Sequence, residues 1–545
     1  MKNSGYEDPN LFLYLANIYI SNGSDEKAIV ILKRALESNP ENPNLYYNLG
    51  SIYYKKSEYE VSISYYLKGI NLEPSNAFAY SNLAGCYEEL YDYKNAVDNY
   101  KKAFLLNKNL LQVREKLVML QPKICDWSFY KYFEDWRDDF INNAKFEGSP
   151  FSFLCLKGDP KKELLLSRKY YYSNYESNQK FEFKNQNEKI KVGYISADFR
   201  THPVSLLLAR VIELHDKSKF EIYGYSFVRD EDEITLRLKK AFDKFTYIGD
   251  FTDLEAINLI RKDNINLAID LMGYSKNARV NLFAKRLAPK QISFLGYPGT
   301  TGSDVMDYLI ADKYTIPNEL EKYYSENILY MPNTFLPFDN TIKVEEKNIS
   351  RKDYGLPEDK FILAAFHRIE KINPKVLDLW SDVLKKLDKA ILWIQEPIAI
   401  AKENLLHEFN QRGIREDKIY FAKRTKHLSD HFLRHKLADV FVDTFFYNSH
   451  STGIFALWSG LPIVTMRGPN FASRVVPSLL DNLSMSDLIA NDEEEYFRII
   501  LKLYENRELL KKLKDKLRVE KEENKIFNSE FFVRELEKLY LSIKY

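Results

Sequence analysis

A repeat near the N-terminus constrains the fold of this chain more than any other feature of its sequence. Residues 9–110 repeat with a period of 34. The aligned positions carry small or aromatic side chains: Tyr19, Tyr53 and Tyr87; Ala16, Gly50 and Ala84; Ala28, Ser62 and Ala96; Ala35, Gly69 and Ala103. Small side chains recur where two helices approach closely, and an aromatic side chain fills the groove between helix pairs. The period therefore predicts about three helix pairs stacked into a superhelix over residues 1–120.

Length and charge limit the class of protein. A chain of 545 residues is too long for one hydrophobic core, so two to four domains are expected. The 79 basic and 78 acidic residues nearly cancel, which argues against nucleic acid as a partner. No apolar run is long enough to span a membrane, and no signal peptide is visible at the start. Three cysteines without a Cys-x-x-Cys pair fit a reducing compartment. We therefore expect a cytoplasmic protein.

Strands and helices alternate after the repeats, which predicts parallel sheets. Residues 121–187 are expected to form a helical connector whose polar end, residues 170–187, marks a domain boundary. Two sets of apolar runs follow, one within residues 188–341 and one within residues 342–545. The predicted strands are Lys191–Ser196, Phe220–Ser226, Leu267–Leu271, Gln291–Leu295 and Tyr308–Ala311, then Phe361–Phe366, Ala390–Gln395, Lys418–Phe421, Val440–Asp443 and Leu461–Met466. Two tandem α/β domains imply a cleft between them, which is the usual place for a ligand.

The stretch Ala438–Gly468 is the strongest candidate for a ligand site. A buried strand ends at Asp443, a polar turn follows, and an apolar helix then leads to the next strand. The first N–H groups of such a helix have no partner within it and carry the positive end of its dipole. We expect them to hold a diphosphate, beside His450, Ser451, Thr452 and Gly453. The alternative is that Ser451 or Thr452 only caps the helix.

Two turns of the first predicted domain also follow strand ends. His202 begins a helix and is able to orient an acceptor hydroxyl or act as a base, since its pKa lies near neutrality. A structural role is the alternative. The turn 296–302 holds three glycines and a proline, and Pro298, Gly299 and Thr300 form a loop that a ligand can approach closely. The alternative here is an ordinary turn.

Two pairs of cationic or polar side chains stand out in the second predicted domain. Arg368 and Lys371 follow a buried strand, and their spacing of three lets both face one phosphate. His431 and Arg434 have the same spacing on a predicted helix, which permits contact with a base, ribose or phosphate. Solvated surface charge is the alternative for both pairs.

Motifs for several other chemistries are missing from the sequence. The acidic run Asp230-Glu231-Asp232 lies in an exposed segment and is interpreted as solvated surface rather than a metal site. There is no Gly-x-x-x-x-Gly-Lys-Ser/Thr loop and no Gly-x-Ser-x-Gly elbow. Lysine, arginine and helix dipoles in a cleft suit an enzyme that neutralises a leaving diphosphate without a metal or other cofactor.

With these motifs in order, the chain resembles a known family. The repeats resemble the tetratricopeptide repeat (TPR). The whole chain is similar to the O-linked N-acetylglucosamine transferases of the kind found in bacteria. The matching segments are Cys125-Asp126-Trp127, GYISADFRTHP (193–203), GYSKNARVNLFA (273–284), LGYPGTTG (295–302), MDYLIAD (306–312), YMPNTF (330–335), EKINP (370–374), LADVFVDT (437–444), HSTG (450–453) and ALWSGLPIVT (456–465).

The resemblance implies a fold and an activity. It implies a TPR array followed by a GT-B fold, in which two Rossmann-like domains face a cleft. It also implies inverting, metal-independent transfer of N-acetylglucosamine from UDP-N-acetylglucosamine to Ser or Thr hydroxyls of a protein that binds along the repeats. A homodimer is left open.

The resemblance also implies roles for single residues. Lys371 matches the lysine that neutralises the diphosphate, and the turn at His450 matches the phosphate-binding turn. His431 and Arg434 fall on the nucleotide-binding helix, and His202 on the active-site histidine. Asp263 is a further candidate for the base, as is the donor phosphate itself.

Two positions depart from the family pattern. Phe455 stands where the family has an Asp that contacts the ribose, and Arg368 stands where it has Gln. The donor sugar therefore stays open, with UDP-glucose as a second possible donor and Asn as a second possible acceptor. Two further hypotheses stay open as well: a repeat scaffold that no longer binds a donor, and a transferase that acts on small molecules or glycans.

Overall fold

The computed structural model describes residues 9–142, 148–177, 188–344 and 347–544. The chain divides into two compact units. One is Met1–Lys131 with Ile398–Ala401, and the other is Tyr132–Pro397 with Lys402–Tyr545. No helix in the described ranges is both long and apolar enough to cross a membrane. Part of the predicted polar boundary, residues 178–187, lies outside the described residues.

The first unit is an array of helices that pair within each repeat. The helices are α1 (Pro9–Ser21), α2 (Asp25–Ser38), α3 (Pro43–Lys55), α4 (Tyr59–Leu72), α5 (Ala77–Glu89), α6 (Tyr93–Leu106) and α7 (Leu111–Leu120). The small residues of the repeat are needed where they lie: a Cβ on Gly69 would come within 2.4 Å of the Tyr47 ring. Ala28, Ser62 and Ala96 are fully buried. The TPR prediction is confirmed.

The second unit begins with the connector helices and a parallel sheet. The helices are α8 (Phe133–Asn142), α9 (Pro160–Asn174), α10 (Pro203–Leu214), α11 (Glu233–Ala241), α12 (Asp253–Lys262) and α13 (Val280–Ala284). The strands are β1 (Ile190–Ser196), β2 (Phe220–Ser226), β3 (Lys244–Tyr247), β4 (Leu267–Asp270), β5 (Lys290–Ser293), β6 (Tyr308–Asp312) and β7 (Asn327–Met331). Their order in the sheet is β3-β2-β1-β4-β5-β6-β7, and all neighbours are parallel.

A second parallel sheet follows in the same unit. Its strands are β8 (Phe361–Ala365), β9 (Ala390–Gln395), β10 (Ile419–Ala422), β11 (Val440–Val442), β12 (Ile463–Met466) and β13 (Ile489–Ala490). They lie in the order β10-β9-β8-β11-β12-β13 and are all parallel. The helices are α14 (Pro374–Lys386), α15 (Ala399–Gln411), α16 (Leu428–His435), α17 (Ser451–Trp458), α18 (Val475–Asn482), α19 (Glu493–Glu505), α20 (Arg507–Glu523) and α21 (Ser529–Ser542). Helical repeats followed by two Rossmann-like sheets confirm the predicted fold class.

The last helix, α21, returns to the first sheet and packs on α10 and β7. Its Glu537 accepts a hydrogen bond from Nδ1 of His215 at 3.2 Å, and the hydroxyls of Tyr540 and Tyr194 lie 3.1 Å apart. All four side chains are buried. The helix therefore closes the first α/β domain, although its sequence follows the second. The predicted boundaries at residues 120, 187 and 341 stay predictions.

Two chain segments connect the α/β domains, and they lie side by side. One follows β7 and the other precedes α21. Ser529 Oγ donates to the Phe338 carbonyl at 2.7 Å, and the rings of Phe338 and Phe527 are 5.5 Å apart. The two connections are therefore bonded to each other.

Candidate active site at the ends of the second sheet

The topology of the second sheet opens a crevice between β8 and β11. These strands are neighbours, yet the chain moves from β8 to β9 on one side and reaches β11 and β12 on the other. The loops after β8 and β11 therefore lead in opposite directions and leave space at the carboxyl edge, which is where open α/β sheets bind ligands. The predicted residues Arg368 and Lys371 follow β8, and the turn 448–453 follows β11.

Lys371 joins these two loops. Its Nζ donates to the Asn448 carbonyl at 2.5 Å and lies 3.7 Å from the centre of the Tyr447 ring. Burial lowers the pKa of Lys371 to about 8, while the negative charge of Asp443 acts in the opposite direction. The ammonium group is therefore still mostly charged at pH 7, and it lies at the crevice where the sequence predicts a diphosphate.

Asp443 shapes the turn from the end of β11. Its carboxylate accepts the Ser449 N–H at 2.8 Å and the Thr465 hydroxyl at 2.7 Å, and it is fully buried. Burial raises its pKa, and the nearby Lys371 opposes that shift. The sequence marks Asp443 only as a strand end, because nothing in the spacing identifies the backbone groups it binds.

The predicted phosphate turn leads directly into α17. Ser451 and Thr452 form the first turn of this helix and are half-buried, so their N–H groups belong to the set without partners inside the helix. Gly453 follows, and a Cβ there would lie 2.9 Å from Ser449 Oγ. The helix start is thus closely packed at Gly453, and its free N–H groups are of the kind that bind an anion.

His450 stands just before α17 and is neutral. Its Nε2 lies 3.1 Å from the Ala472 carbonyl. A carbonyl can only accept, so Nε2 carries the proton. Burial and the charge of Lys371 hold the pKa of His450 well below its usual range. The imidazole therefore fixes the turn to the loop at Ala472 and does not supply a positive charge.

His202 of the first domain lies near one cation of the second, Arg368. It precedes α10, and its Nδ1 lies 3.3 Å from an Asp198 carboxylate oxygen. Burial lowers the pKa of His202 to about 4, and the positive charges of Arg200 and Arg368 act in the same direction. Arg368 is itself largely exposed and donates to Glu370 at 3.0 Å. The structure therefore brings His202, Arg368 and Lys371 to one cleft.

Arg434 is not presented to a ligand. It is 2% exposed. Its guanidinium donates to Gln395 Oε1 at 2.8 Å, to the Lys423 carbonyl at 2.9 Å and to His431 Nδ1 at 2.7 Å. These bonds make Arg434 a support for His431. His431 is half-buried, and burial holds its pKa well below the usual range. Of this predicted pair, only His431 keeps appreciable exposed surface.

Phe455 is built into the packing between α16 and α17. Its side chain is 4% exposed, and its ring centre lies 5.1 Å from that of Phe432 and 6.3 Å from that of Phe338. An apolar ring thus occupies the position where the resemblance implies a carboxylate for the ribose. Aromatic neighbours hold it there, so it is part of the core of this domain.

The loop 296–302 is closed by internal bonds. Thr300 Oγ1 donates to Glu326 at 2.7 Å, and the Thr301 N–H donates to the same carboxylate at 2.7 Å. Pro298, Gly299 and Thr300 are buried. The predicted close approach of a ligand would therefore involve the loop backbone, since the Thr300 hydroxyl is already bonded.

Asp263 is not brought together with these residues. It lies between the end of α12 and the start of β4, at the amino edge of the first sheet, whereas the cleft loops leave the carboxyl edge. Its carboxylate accepts the Tyr225 hydroxyl at 2.8 Å and pairs with Lys244. We therefore leave Asp263 out of the chemistry proposed below.

The connector contributes residues that the sequence did not indicate. The Phe151 ring lies 6.3 Å from Tyr447 and 6.2 Å from Tyr297, so it contacts both α/β domains. Burial raises the pKa of the Cys155 thiol to about 12, and the charges of Lys371 and Arg368 oppose that shift. The sequence held one clue to this cluster, which is that an aromatic residue, Tyr447, directly precedes the predicted polar turn.

The acidic run 230–232 makes separate structural contacts. Asp232 accepts the Thr235 and Thr201 N–H groups, Glu231 pairs with Lys239, and Asp230 lies 3.8 Å from Arg200. Across the described ranges, no three or more His, Cys, Asp or Glu side chains are grouped to hold a metal ion.

Comparisons with known proteins agree with this architecture. The profile of Glycosyl transferase family 41 matches residues 161–344 and 340–536, and TPR profiles match residues 16–57 and 43–76. A probable UDP-N-acetylglucosamine–peptide N-acetylglucosaminyltransferase, SEC of Arabidopsis thaliana, is 32% identical over 365 residues, which cover 65% of this chain and 37% of SEC. The UDP-N-acetylglucosamine–peptide N-acetylglucosaminyltransferase of Caenorhabditis elegans is 26% identical over 465 residues, covering 65% of this chain and 40% of that protein. The match thus spans well under half of these relatives.

A solved structure shows the same fold over nearly the whole chain. A mutant of the Thermobaculum terrenum O-GlcNAc transferase superposes with a TM-score of 0.70 at 23% identity, covering 98% of this chain and 96% of that one. The profile match extends over most of the second unit, including the crevice with Lys371 and the turn at His450. This chain belongs to glycosyl transferase family 41.

Proposed function

We propose that this chain is an inverting glycosyltransferase that moves a sugar from a UDP-sugar, with UDP-N-acetylglucosamine as the first candidate, to Ser or Thr hydroxyls of a protein. The observation that carries the proposal is the position of Lys371, whose charged Nζ joins the two loops of the crevice beside the start of α17. The names of the relatives support the donor and the acceptor.

In the proposed reaction, the acceptor hydroxyl attacks the anomeric carbon, and the bond from that carbon to the diphosphate oxygen breaks. Negative charge then develops on the departing UDP. Lys371 and the first N–H groups of α17 stabilise that charge, because they are already aimed at the crevice before the reaction begins. Because these groups are already in position, they do not have to reorganise while the charge develops.

The proton of the acceptor hydroxyl needs a base or a phosphate oxygen. His202 is the candidate on the first domain, and its proximity to Asp198 and Arg368 supports a role in orienting the hydroxyl. Its lowered pKa makes His202 a weak base at neutral pH. This favours transfer of the proton, at least in part, to the donor phosphate itself. The acceptor protein is proposed to bind along the TPR helices, as such arrays bind extended peptides.

Phe455 bears on how tightly the ribose of the donor is held. A buried phenyl ring cannot accept hydrogen bonds from ribose hydroxyls, and each lost partner costs on the order of 1–3 kcal/mol. UDP-N-acetylglucosamine and UDP-glucose carry the same ribose, so Phe455 lowers the affinity expected for both and leaves the donor sugar open between them. A scaffold without donor binding is the alternative outcome.

The test begins with calorimetric titration of UDP, UDP-N-acetylglucosamine and UDP-glucose, followed by transfer of labelled sugar to protein. Lys371→Ala should fold normally, lose UDP affinity and lower turnover by roughly 10²–10³-fold, as expected when one charge-stabilising group is removed. Lys385→Ala, an exposed lysine on α14, is the matched control and should behave as the unchanged protein.

Three outcomes would decide the proposal. Tighter binding of one sugar nucleotide would identify the donor. Unchanged turnover in Lys371→Ala would overturn the proposed chemistry. Failure of all three nucleotides to bind would support the scaffold.

A further inference from the structure

Tyr447 is placed to control the cation at the centre of the site. The Nζ of Lys371 lies 3.7 Å from the centre of the Tyr447 ring, while it donates to the carbonyl of the next residue, Asn448. The face of an aromatic ring is electronegative and attracts an ammonium group, most strongly where water is excluded. One short segment thus holds Lys371 by a ring and by a carbonyl.

The backbone that carries this ring is fixed on several sides. Thr444 Oγ1 donates to the Tyr447 carbonyl at 2.6 Å, and the Asn448 amide donates to the Thr444 carbonyl at 2.7 Å. The Asn448 N–H donates to the Ala472 carbonyl at 2.9 Å. The ring and the Asn448 carbonyl are therefore in position before any ligand binds.

Two further aromatic side chains hold the orientation of the ring. His450 lies on one side with its ring centre 4.9 Å away, and Phe151 of the connector meets Tyr447 nearly edge-on at 75°. Phe151 also contacts Tyr297 of the first domain. The connector thus reaches the catalytic lysine through Tyr447.

The surroundings of Lys371 only partly favour its charged form, so the contact with the Tyr447 ring adds to its stabilisation. Burial favours its neutral form, and Arg368 adds repulsion. The titratable groups that face Lys371 are Asp443 at the end of β11, Cys155 of the connector, Arg368 and Glu370 on its own turn, and the neutral His367 and His450. Asp443 is the main attraction among them, and it is already bonded to Ser449 and Thr465.

We propose that Tyr447 is a positioning residue, whose ring face keeps Lys371 charged and aimed at the diphosphate of the donor. This inference rests on the proposed function, because it assigns Lys371 to the donor. Phe151 supports the ring from the connector and so links that segment to donor binding.

The test compares Tyr447→Leu with Tyr447→Phe by calorimetric titration of UDP between pH 6 and 9.5. Tyr447→Phe keeps the ring face and should match the unchanged protein within about twofold, since phenol and phenyl rings attract cations similarly. Tyr447→Leu should bind UDP roughly three- to thirtyfold more weakly at pH 7. The pH at which binding is half lost should fall by about half to one and a half units.

A second measurement keeps the inference testable if Tyr447→Leu does not fold. Phenylalanine with a progressively fluorinated ring at position 447 keeps the shape but weakens the electronegative face. The pH midpoint of UDP binding should then fall step by step with fluorination. A pH midpoint that changes with neither the leucine substitution nor the fluorination would overturn the inference. Equal losses of UDP affinity in Tyr447→Leu and Tyr447→Phe would overturn it as well.

Lys371→Ala separates this inference from the proposed function. If that variant binds UDP normally, the proposed function fails first. If it loses UDP while the midpoint in Tyr447→Leu is unchanged, only the role of Tyr447 is wrong.

Discussion

The two sheets of the second unit share a strand order but differ in the chemistry of their carboxyl ends. From one edge, both sheets run third, second, first, fourth, fifth and sixth strand. In the first sheet, the loop after β5 is closed by bonds from Thr300 and Thr301 to Glu326, while the loop after β1 carries His202. The loops of the second sheet leave a lysine and a helix start at the crevice. The two sheets therefore share a topology and differ in their loop residues, and we propose that the loops of the second sheet hold the anion.

The largest effects are expected from two glycine-to-alanine substitutions, Gly296→Ala in a loop of the first sheet and Gly453→Ala in a loop of the second. A Cβ on Gly296 would lie 1.8 Å from the Leu271 carbonyl oxygen, which is backbone and cannot move aside cheaply. Gly296→Ala should cost about 3 kcal/mol or more in free energy of unfolding, measured by denaturant titration. A Cβ on Gly453 would instead meet side-chain atoms, Ser449 Oγ at 2.9 Å and Val476 Cγ2 at 3.0 Å.

Gly453→Ala should therefore cost about 1–3 kcal/mol in free energy of unfolding, because Ser449 and Val476 are fully buried and have to shift to make room. It should also weaken UDP binding roughly tenfold, because small shifts of positioned groups are expensive. The comparison breaks if Gly453→Ala binds UDP as tightly as the unchanged protein, or if Gly296→Ala is as stable as the unchanged protein.

An intermediate effect is expected from pH. The pKa of Lys371 is lowered to about 8, so its charge is complete at lower pH and is lost as the pH rises through 8. UDP affinity should therefore be highest near pH 7 and fall roughly tenfold for each unit above 8. His202 titrates near pH 4, so it does not contribute to this alkaline loss. Unchanged affinity at pH 9.5 would show that the second sheet does not bind the donor through Lys371.

The smallest effect is expected at the amino edge of the first sheet. Asp263→Asn should change turnover by less than about threefold, because Asp263 bonds to Tyr225 and Lys244 away from the cleft. Initial rates at saturating donor would measure this, with His202→Ala as the comparison from the opposite edge. A large loss of turnover in Asp263→Asn at unchanged stability would contradict the division between the two edges.

The sequence predicted the buried parts of the fold well, and the reason is physical. Central parallel strands are covered on both faces, so they appear as short apolar runs such as Ala390–Gln395. The strands that were missed, β3, β7 and β13, lie at sheet edges. Lys244–Tyr247 is exposed or half-buried throughout, and Ile489–Ala490 is too short to show a pattern.

For the candidate site, the sequence predicted where side chains follow strand ends but not what they contact. Lys371 and the turn at His450 lie at the expected loops. Arg434 has the same spacing signal as Lys371, yet its charge is buried in bonds to Gln395 and His431. Spacing does not distinguish these two cases, because the partners come from segments distant in sequence. Tyr447 was missed for the same reason.

The return of the chain end to the first sheet has a mechanical consequence. The two α/β domains are tethered twice, and the tethers are fastened together where Ser529 bonds to the Phe338 carbonyl. A single connecting segment could bend on its own, whereas these two segments are bonded to each other and have to move together. Any change in the angle between the two domains, and so in the width of the cleft, therefore has to bend both segments beside the contact between Ser529 and Phe338.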